Sequence, residues 1–226
     1  MIVTIIPARG GSKGIPKKNV HPVCGKPLIA YSIEQALAAG SIDKVYVSTD
    51  DPEIAKVSKK YGASIISRPV ELSGDSASSE SALVHAIEQI GTEVKSSIDY
   101  VVFLQATSPI RRQGALEKAI ALIKESKADS LFSASPLHTF VWRENNGNME
   151  SVTYDYKKRP RRQELAPEYL ENGSIYIFKP WVLNQLNNRL GGKIIVFPMD
   201  PLDSFQIDDP EDLTVIEKII EVTEFK

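Results

Sequence analysis

Residues 7–19 read Pro-Ala-Arg-Gly-Gly-Ser-Lys-Gly-Ile-Pro-Lys-Lys-Asn and put three glycines and four cations into one short loop. Glycine lets backbone N–H groups turn toward an anion at close range, and Arg9, Lys13 and Lys18 add side-chain charge. That is the chemistry of a polyphosphate cradle; a plain solvated turn seldom gathers so many cations behind a buried strand. Neither G-x-x-x-x-G-K-[ST] nor G-x-G-x-x-G is present, which disfavours a P-loop NTPase and a dinucleotide-dependent dehydrogenase. A second basic run, Lys-Lys-Arg-Pro-Arg-Arg over 157–162, holds five cations in six residues. A nucleic-acid patch or a localisation signal would have this composition, but aromatics are not interleaved in the run and the chain is not basic overall. His21, His85 and His138 have no metal-ligand spacing, so structural or surface roles are expected for them. Cys24 reads as a small packed residue rather than a nucleophile.

Residues that do such chemistry need a frame. IVTII (2–6), KVYVST (44–49), SIIS (64–67) and YVVFLQ (100–105) are short, rich in Val and Ile, and read as buried strands. Between them Leu28, Ile29, Ile33, Ala36 and Leu37 share one helical face that stops before Gly40. Leu83, Val84, Ile87 and Ile90 form a second stripe ending before Gly91, and Leu116, Ala119, Ile120 and Ile123 a third. Asp51-Pro52-Glu53 supplies a cap followed by proline in a first turn, the start of another helix. Alternating strands and helices predict an α/β fold with a mostly parallel sheet flanked by helices. The loop at 7–19 then lies beyond the carboxyl end of the first strand, where such sheets bind ligands. From about 136 to 170 the alternation lapses, which predicts a protruding excursion from a single domain spanning 1–226. Regular pattern returns with GSIYIF (173–178), KIIVF (193–197) and a closing helix carrying Leu213, Ile216, Ile219 and Ile220.

Composition agrees with this frame. Among 226 residues, 42% are hydrophobic and 25% charged with a net charge of −2, which excludes disordered, collagen-like and coiled-coil classes. A chain of this size buries about 70% of its unfolded surface without staples. One cysteine rules out an internal disulfide framework and fits a reducing compartment. No apolar run approaches the roughly 20 residues of a membrane span, and MIVTIIPARGG lacks the features of a signal peptide, so a cytoplasmic protein that binds neither membrane nor nucleic acid is expected.

The string IPARGGSKGIPKKN resembles the N-terminal signature of the cytidylyltransferases that activate nine-carbon keto sugar acids, the CMP-sialic acid synthetases. RPVELSGDSASS (68–79), LQATSPIR (104–111), RPRRQ (159–163) and ENGSIYIF (171–178) resemble further blocks of that family in the same order, so the resemblance covers nearly the whole chain. It implies a Rossmann-like, GT-A-type nucleotidyltransferase fold whose small excursion dimerises and completes the active site of a second subunit. It implies transfer of CMP from CTP to a nonulosonic acid with release of pyrophosphate. Legionaminate, pseudaminate, KDN or an eight-carbon keto sugar acid are alternative acceptors, and a non-catalytic nucleotide-binding protein is the rival outside the class.

By the same resemblance Arg9, Gly10, Gly11, Ser12, Lys13, Lys18 and Asn19 hold the CTP phosphates, with Arg9, Lys13 and Lys18 stabilising the developing charge. Arg68 and Ser79 recognise the nucleotide; a plain helix cap is the alternative reading of Ser79, and the two roles can coexist. Gln105, Thr107, Ser108, Arg111, Arg162, Gln163, Asn172 and Tyr176 meet the acceptor sugar, and both basic runs reach one cleft. For Mg²⁺ the family commonly shows Asp-Ile-Asp where this chain has Gln206-Ile207-Asp208, which leaves Asp208 as the carboxylate and Gln206 as a carbonyl or water-mediated partner. In the segment HTFVW (138–142) Val141 stands where relatives often carry a basic residue.

Overall fold

The structure is a computed structural model that describes all residues except Lys13, Ser76, Lys95, His138, Leu165 and 224–226, and only the backbone of Arg162. The chain opens with strand β1 (Ile2–Pro7), the loop at 8–21, a two-stranded ribbon β2 (Pro22–Val23) and β3 (Lys26–Pro27), and helix α1 (Leu28–Leu37). β4 (Lys44–Thr49), α2 (Pro52–Lys60), β5 (Ser64–Ser67), α3 (Ser79–Glu93), β6 (Tyr100–Leu104) and α4 (Ala115–Ser126) follow. The second half holds β7 (Ser130–Leu137), the hairpin β8 (Trp142–Asn145) and β9 (Asn148–Ser151), β10 (Glu168–Phe178), α5 (Pro180–Leu186), β11 (Ile194–Pro198) and α6 (Pro210–Thr223).

Seven strands form one sheet in the order β11-β7-β10-β6-β1-β4-β5. Every pairing is parallel except those of β10, which runs against both β6 and β7. Side chains alternate across a strand, and β1 shows the result: Ile2 and Ile6 enter a core with α1, α2 and α4, whereas Val3 and Ile5 enter one with α3 and α5. Each fully buried Ile or Leu contributes about 1.5–3 kcal/mol, so the two faces fix the sheet between its helices. A third cluster joins Ile15 of the first loop, Ile110, Ile207 and the α6 residues Ile216, Ile219 and Ile220. It draws the loop after β1 onto the turn before α6.

The parallel strands expected at 44–49 and 64–67 have those bounds. β7 and α5 carry no clear periodicity and were not expected, and α3 runs through Gly91 to Glu93 because Gly91 sits in open space and breaks nothing. The excursion is shorter than 136–170: Leu137 pairs with Glu168, Pro136 with Tyr169 and Ser135 with Leu170, so the ladder takes up both of its ends. Cys24 corrects its expectation, being exposed in a left-handed turn (φ 47°) with Sγ 3.7 Å from the Glu217 carbonyl. Among the described residues no helix is long and apolar enough to cross a membrane.

Candidate active site

The carboxyl ends of β1 and β6, the first turn of α3 and the turn before α6 enclose a cleft of about 460 Å³. Of the expected residues, Arg9, Ser12, Lys18, Asn19, Ser79, Gln105, Thr107 and Asp208 line it. Lys13 lies outside the described residues.

Burial of Ile15 pins the loop after β1, and buried Asn19 shapes it by donating from Nδ2 to the Arg9 carbonyl at 3.0 Å. Asn19 therefore holds the loop's form at the cleft wall. The Gly10 N–H donates to Asp50 Oδ1 at 3.1 Å, a Cβ on Gly11 would meet nothing within 4 Å, and neither glycine lines the cleft. Gly14 packs on the opposite turn so closely that a Cβ would stand 2.4 Å from the Asp208 carbonyl oxygen. Arg9 Nη1 donates to the Gly74 carbonyl at 3.0 Å and to Asp75 at 2.9 Å. Lys18 Nζ donates to the Ile207 carbonyl and to Asp208 Oδ1, both at 3.0 Å. Both cations line the cleft and are held there by direct contacts, Lys18 to Asp208 on the opposite wall.

Arg68 lies behind this wall. It is buried, donates from Nε to Ser48 Oγ at 3.2 Å and also bonds the Ser48 carbonyl, and its pKa is lowered by burial against the opposing pull of Asp50. The Ala8 N–H also donates to that carbonyl, so Arg68 braces the start of the loop. The cap of α3 is Ser78, whose Oγ accepts from the Ser81 N–H at 3.1 Å. Ser79 is the first helical residue and lines the cleft, so the alternative role of cap belongs to its neighbour.

On the β10 side most of the expected sugar contacts are buried behind the surface. Arg111 is fully buried and lines no part of the cleft. It donates to Ser32 Oγ (3.0 Å), Gln35 Oε1 (2.8 Å) and the carbonyls of Gln105 (3.1 Å) and Ser174 (2.8 Å). Burial lowers its pKa to about 9, and the four acceptors hold the strand ends that present Gln105. Ser108 is buried beside it. Asn172 is buried too: its Oδ1 accepts from Ser133 Oγ (2.6 Å) and the Ser174 N–H (3.2 Å), and its Nδ2 donates to Ser204 Oγ (2.9 Å). Tyr176 stacks on Phe103 with ring centroids 5.4 Å apart and donates its hydroxyl to Glu171. Burial and that carboxylate push the phenol pKa up. Between them Gly173 (φ 65°) sits at the register shift of β10, where a Cβ would stand 2.6 Å from Gln206 Nε2 and 3.2 Å from Gln105 Oε1.

Asp208 is exposed in the cleft beside Asp209, and the Asp212 carboxylate accepts from both of their N–H groups at 2.8 and 2.9 Å. Those bonds hold the Asp212 carboxyl below its usual range. Gln206 turns away and donates Nε2 to the Asn172 carbonyl. Among the described residues no group of three or more His, Cys, Asp or Glu gathers as a metal cluster. An Mg²⁺ ion asks for only one or two carboxylates besides phosphate and water, so exposed Asp208 fits that demand.

The second basic run does not join the cleft within the chain. Arg159 stacks on Phe140 at 4.5 Å, Lys157 lies 5.9 Å from the Tyr156 ring, and none of 157–161 lines the cleft. Gln163 is exposed on the same excursion, and the Arg162 side chain lies outside the described residues. Pro7, Ala8, Gly14, Phe103, Ala106 and Asp209 also line the cleft and were not expected there. Phe103 shares a strand face with Gln105, and that period of two was the available signal.

A cytidylyltransferase family model matches residues 3–225. N-acylneuraminate cytidylyltransferase A of Danio rerio is 37% identical over 221 residues, 96% of this chain, which spans about half the length of that relative. Pseudaminic acid cytidylyltransferase of Campylobacter jejuni is 36% identical over 215 residues, 92% of this chain and 91% of its own. The solved structure of a CMP:2-keto-3-deoxy-manno-octonic acid synthetase complexed with CTP superposes with a TM-score of 0.70 at 22% identity, covering 97% of this chain and 98% of that one. That likeness carries the fold; the family match over almost the whole length, together with the cleft at the strand ends, means that this chain belongs to the cytidylyltransferase family.

Proposed function

We propose that the chain transfers CMP from CTP to the anomeric hydroxyl of a nonulosonic acid of the neuraminate or pseudaminate kind. The hydroxyl oxygen forms a bond to the α-phosphorus and gives up its proton to solvent, the bond from that phosphorus to the oxygen bridging it to the β-phosphate breaks, and pyrophosphate leaves with that oxygen. The observation that carries the reading is the pairing of Arg9 and Lys18 across one cleft with Ser79, Gln105 and Asp208 on its other walls. Positioned cations are what such a transfer needs, because charge spreads onto the leaving phosphate oxygens. Lys13, next to Ser12 in the same loop, is assigned the same work.

Asp208 would hold Mg²⁺, which when bound neutralises phosphate charge. Gln206 supports the site indirectly by closing the β10 turn. The excursion exposes Trp142, Met149, Val152 and Tyr156 together with its cations, a surface suited to a second copy of the chain. In such a homodimer Arg162 and Gln163 would serve the partner subunit's acceptor, which accounts for Gln163 standing exposed on the excursion and outside the cleft lining of its own chain. A cytoplasmic setting suits a CTP-dependent reaction and a single free thiol.

Pyrophosphate release should be measured with Mg²⁺, each of four nucleoside triphosphates, and a panel of nine- and eight-carbon keto sugar acids. Release with CTP and a nine-carbon acid is the expected result. CTP binding without release in any combination would turn the reading into that of a non-catalytic nucleotide-binding protein.

A further inference from the structure

Arg189 follows α5 in a segment, Asn-Asn-Arg-Leu-Gly-Gly, that carries no motif. The structure nevertheless puts it between two walls of the cleft. Its Nε donates to Glu80 Oε1 at 2.8 Å, and Nη2 reaches the same oxygen at 2.8 Å. Glu80 is the second residue of α3, directly after Ser79. The guanidinium Cζ also lies over the Tyr176 and Phe103 rings, 4.8 and 5.1 Å from their centroids. Those rings stack on each other at an interplanar angle of 16°, and Phe103 lines the cleft. Arginine alone among side chains offers a fixed charged fork to a carboxylate and a flat face to aromatics at the same time.

Neighbouring contacts fix where Arg189 stands. Asn187 ends α5 in the left-handed region (φ 48°), Leu190 packs into the core beside α3, and Ser130 Oγ exchanges hydrogen bonds with the Gly191 backbone at 2.8 and 3.0 Å. Both members of the ion pair are mostly shielded, with 20% and 18% of their side chains exposed, so water competes weakly for it.

On the functional reading above, we infer that Arg189 is a positioning residue that locks the Ser79 end of α3, on the nucleotide side, to the Phe103–Tyr176 wall on the acceptor side. The lock makes the placement of either substrate depend on one rigid arrangement of both walls. It touches no reacting atom itself.

The test uses Arg189→Met, Glu80→Gln and the double variant of the full chain. Hydrogen exchange of the amides at 81–84 should speed up about tenfold or more in either single variant while exchange in β1 and β4 is unchanged. kcat/KM for CTP and for the acceptor acid should both fall about tenfold, mainly through KM, and the double variant should be no worse than Arg189→Met. Unchanged exchange at α3, kcat/KM within twofold of wild type, or effects that multiply in the double variant would each overturn the inference. If Arg189→Met does not fold, Glu80→Gln, which keeps the shape of its side chain, decides by the same readings. A wild-type chain inactive on the whole panel would defeat the reaction assigned above, whereas the exchange result would still decide whether the lock exists.

Discussion

On the loop side of the cleft the functional side chains reach the surface: Arg9 and Lys18 line it, each held by one carbonyl and one carboxylate, Gly74 and Asp75 for Arg9, Ile207 and Asp208 for Lys18. On the β10 side Arg111 and Asn172 are buried and bonded on several sides, while Phe103, Gln105, Ala106 and Thr107 line the cleft. One wall therefore offers charge to a ligand, and the other spends its polar groups on keeping a shape. The difference predicts that substitutions on the first wall change rates with little change in stability, and those on the second change stability first.

Lys18→Met should give the largest separation. Loss of one positioned charge donor lowers turnover by about 10²- to 10³-fold, while the unfolding free energy stays within about 1 kcal/mol. Steady-state kinetics and urea unfolding measure the two. A rate within tenfold of wild type would remove the catalytic role of the loop wall.

Arg111→Met should do the reverse. Four neutral acceptors lose a buried donor, and a buried polar group left unsatisfied costs about 1–3 kcal/mol. Urea unfolding should shift accordingly, with CTP affinity of the folded protein changed less than threefold. A stable Arg111→Met protein with lost CTP binding would place Arg111 among the ligand contacts instead.

Gly173→Ala should have a smaller effect, about 1–3 kcal/mol, because its backbone is left-handed and a Cβ would press on Gln206 and Gln105. The acceptor KM should rise while the CTP KM is unchanged, since the strain falls on the β10 wall. Equal rises in both would tie this turn to the nucleotide as well.

The smallest expected effect is a control outside both walls. Lys179 donates to Asp129 at 2.8 Å, and this bond, helped by the Lys193 N–H, holds the Asp129 carboxyl below its usual range. A depressed folded-state pKa contributes stability that is present above the unfolded value of about 4 and is lost as pH falls through the folded value. Asp129→Asn should cost at most about 1 kcal/mol at pH 7, lose that difference in acid, and leave kinetics unaltered. A kinetic effect would show that the lower edge of the sheet reaches the cleft.

How much of this was legible in the sequence differs between the same two regions. The loop at 7–19 announces itself because glycine and cation chemistry is local, and β4 and β5 were readable to the residue from their β-branched runs. Whether Ser79 caps α3 or faces the cleft stays open in the sequence, because Ser78 and Ser79 are equivalent until the helix phase is known. Arg111, Asn172 and Tyr176 were expected at the sugar, but residue type does not say whether a polar side chain faces the cleft or braces it from behind. β7 was missed because Ser133, Ser135 and Pro136 interrupt its apolar pattern, and it forms through pairing with β10 and β11. Glu80 and Arg189 stand 109 residues apart and carry no motif, so only the fold shows that they meet.

The central claim is tested most directly by counting products from CTP and the acceptor acid with the purified chain. One CMP-sugar formed for each pyrophosphate released, identified by mass, is the result expected of cytidylyl transfer in this cleft. Pyrophosphate appearing with free CMP and no sugar adduct, or bound CTP that yields neither product, would contradict it.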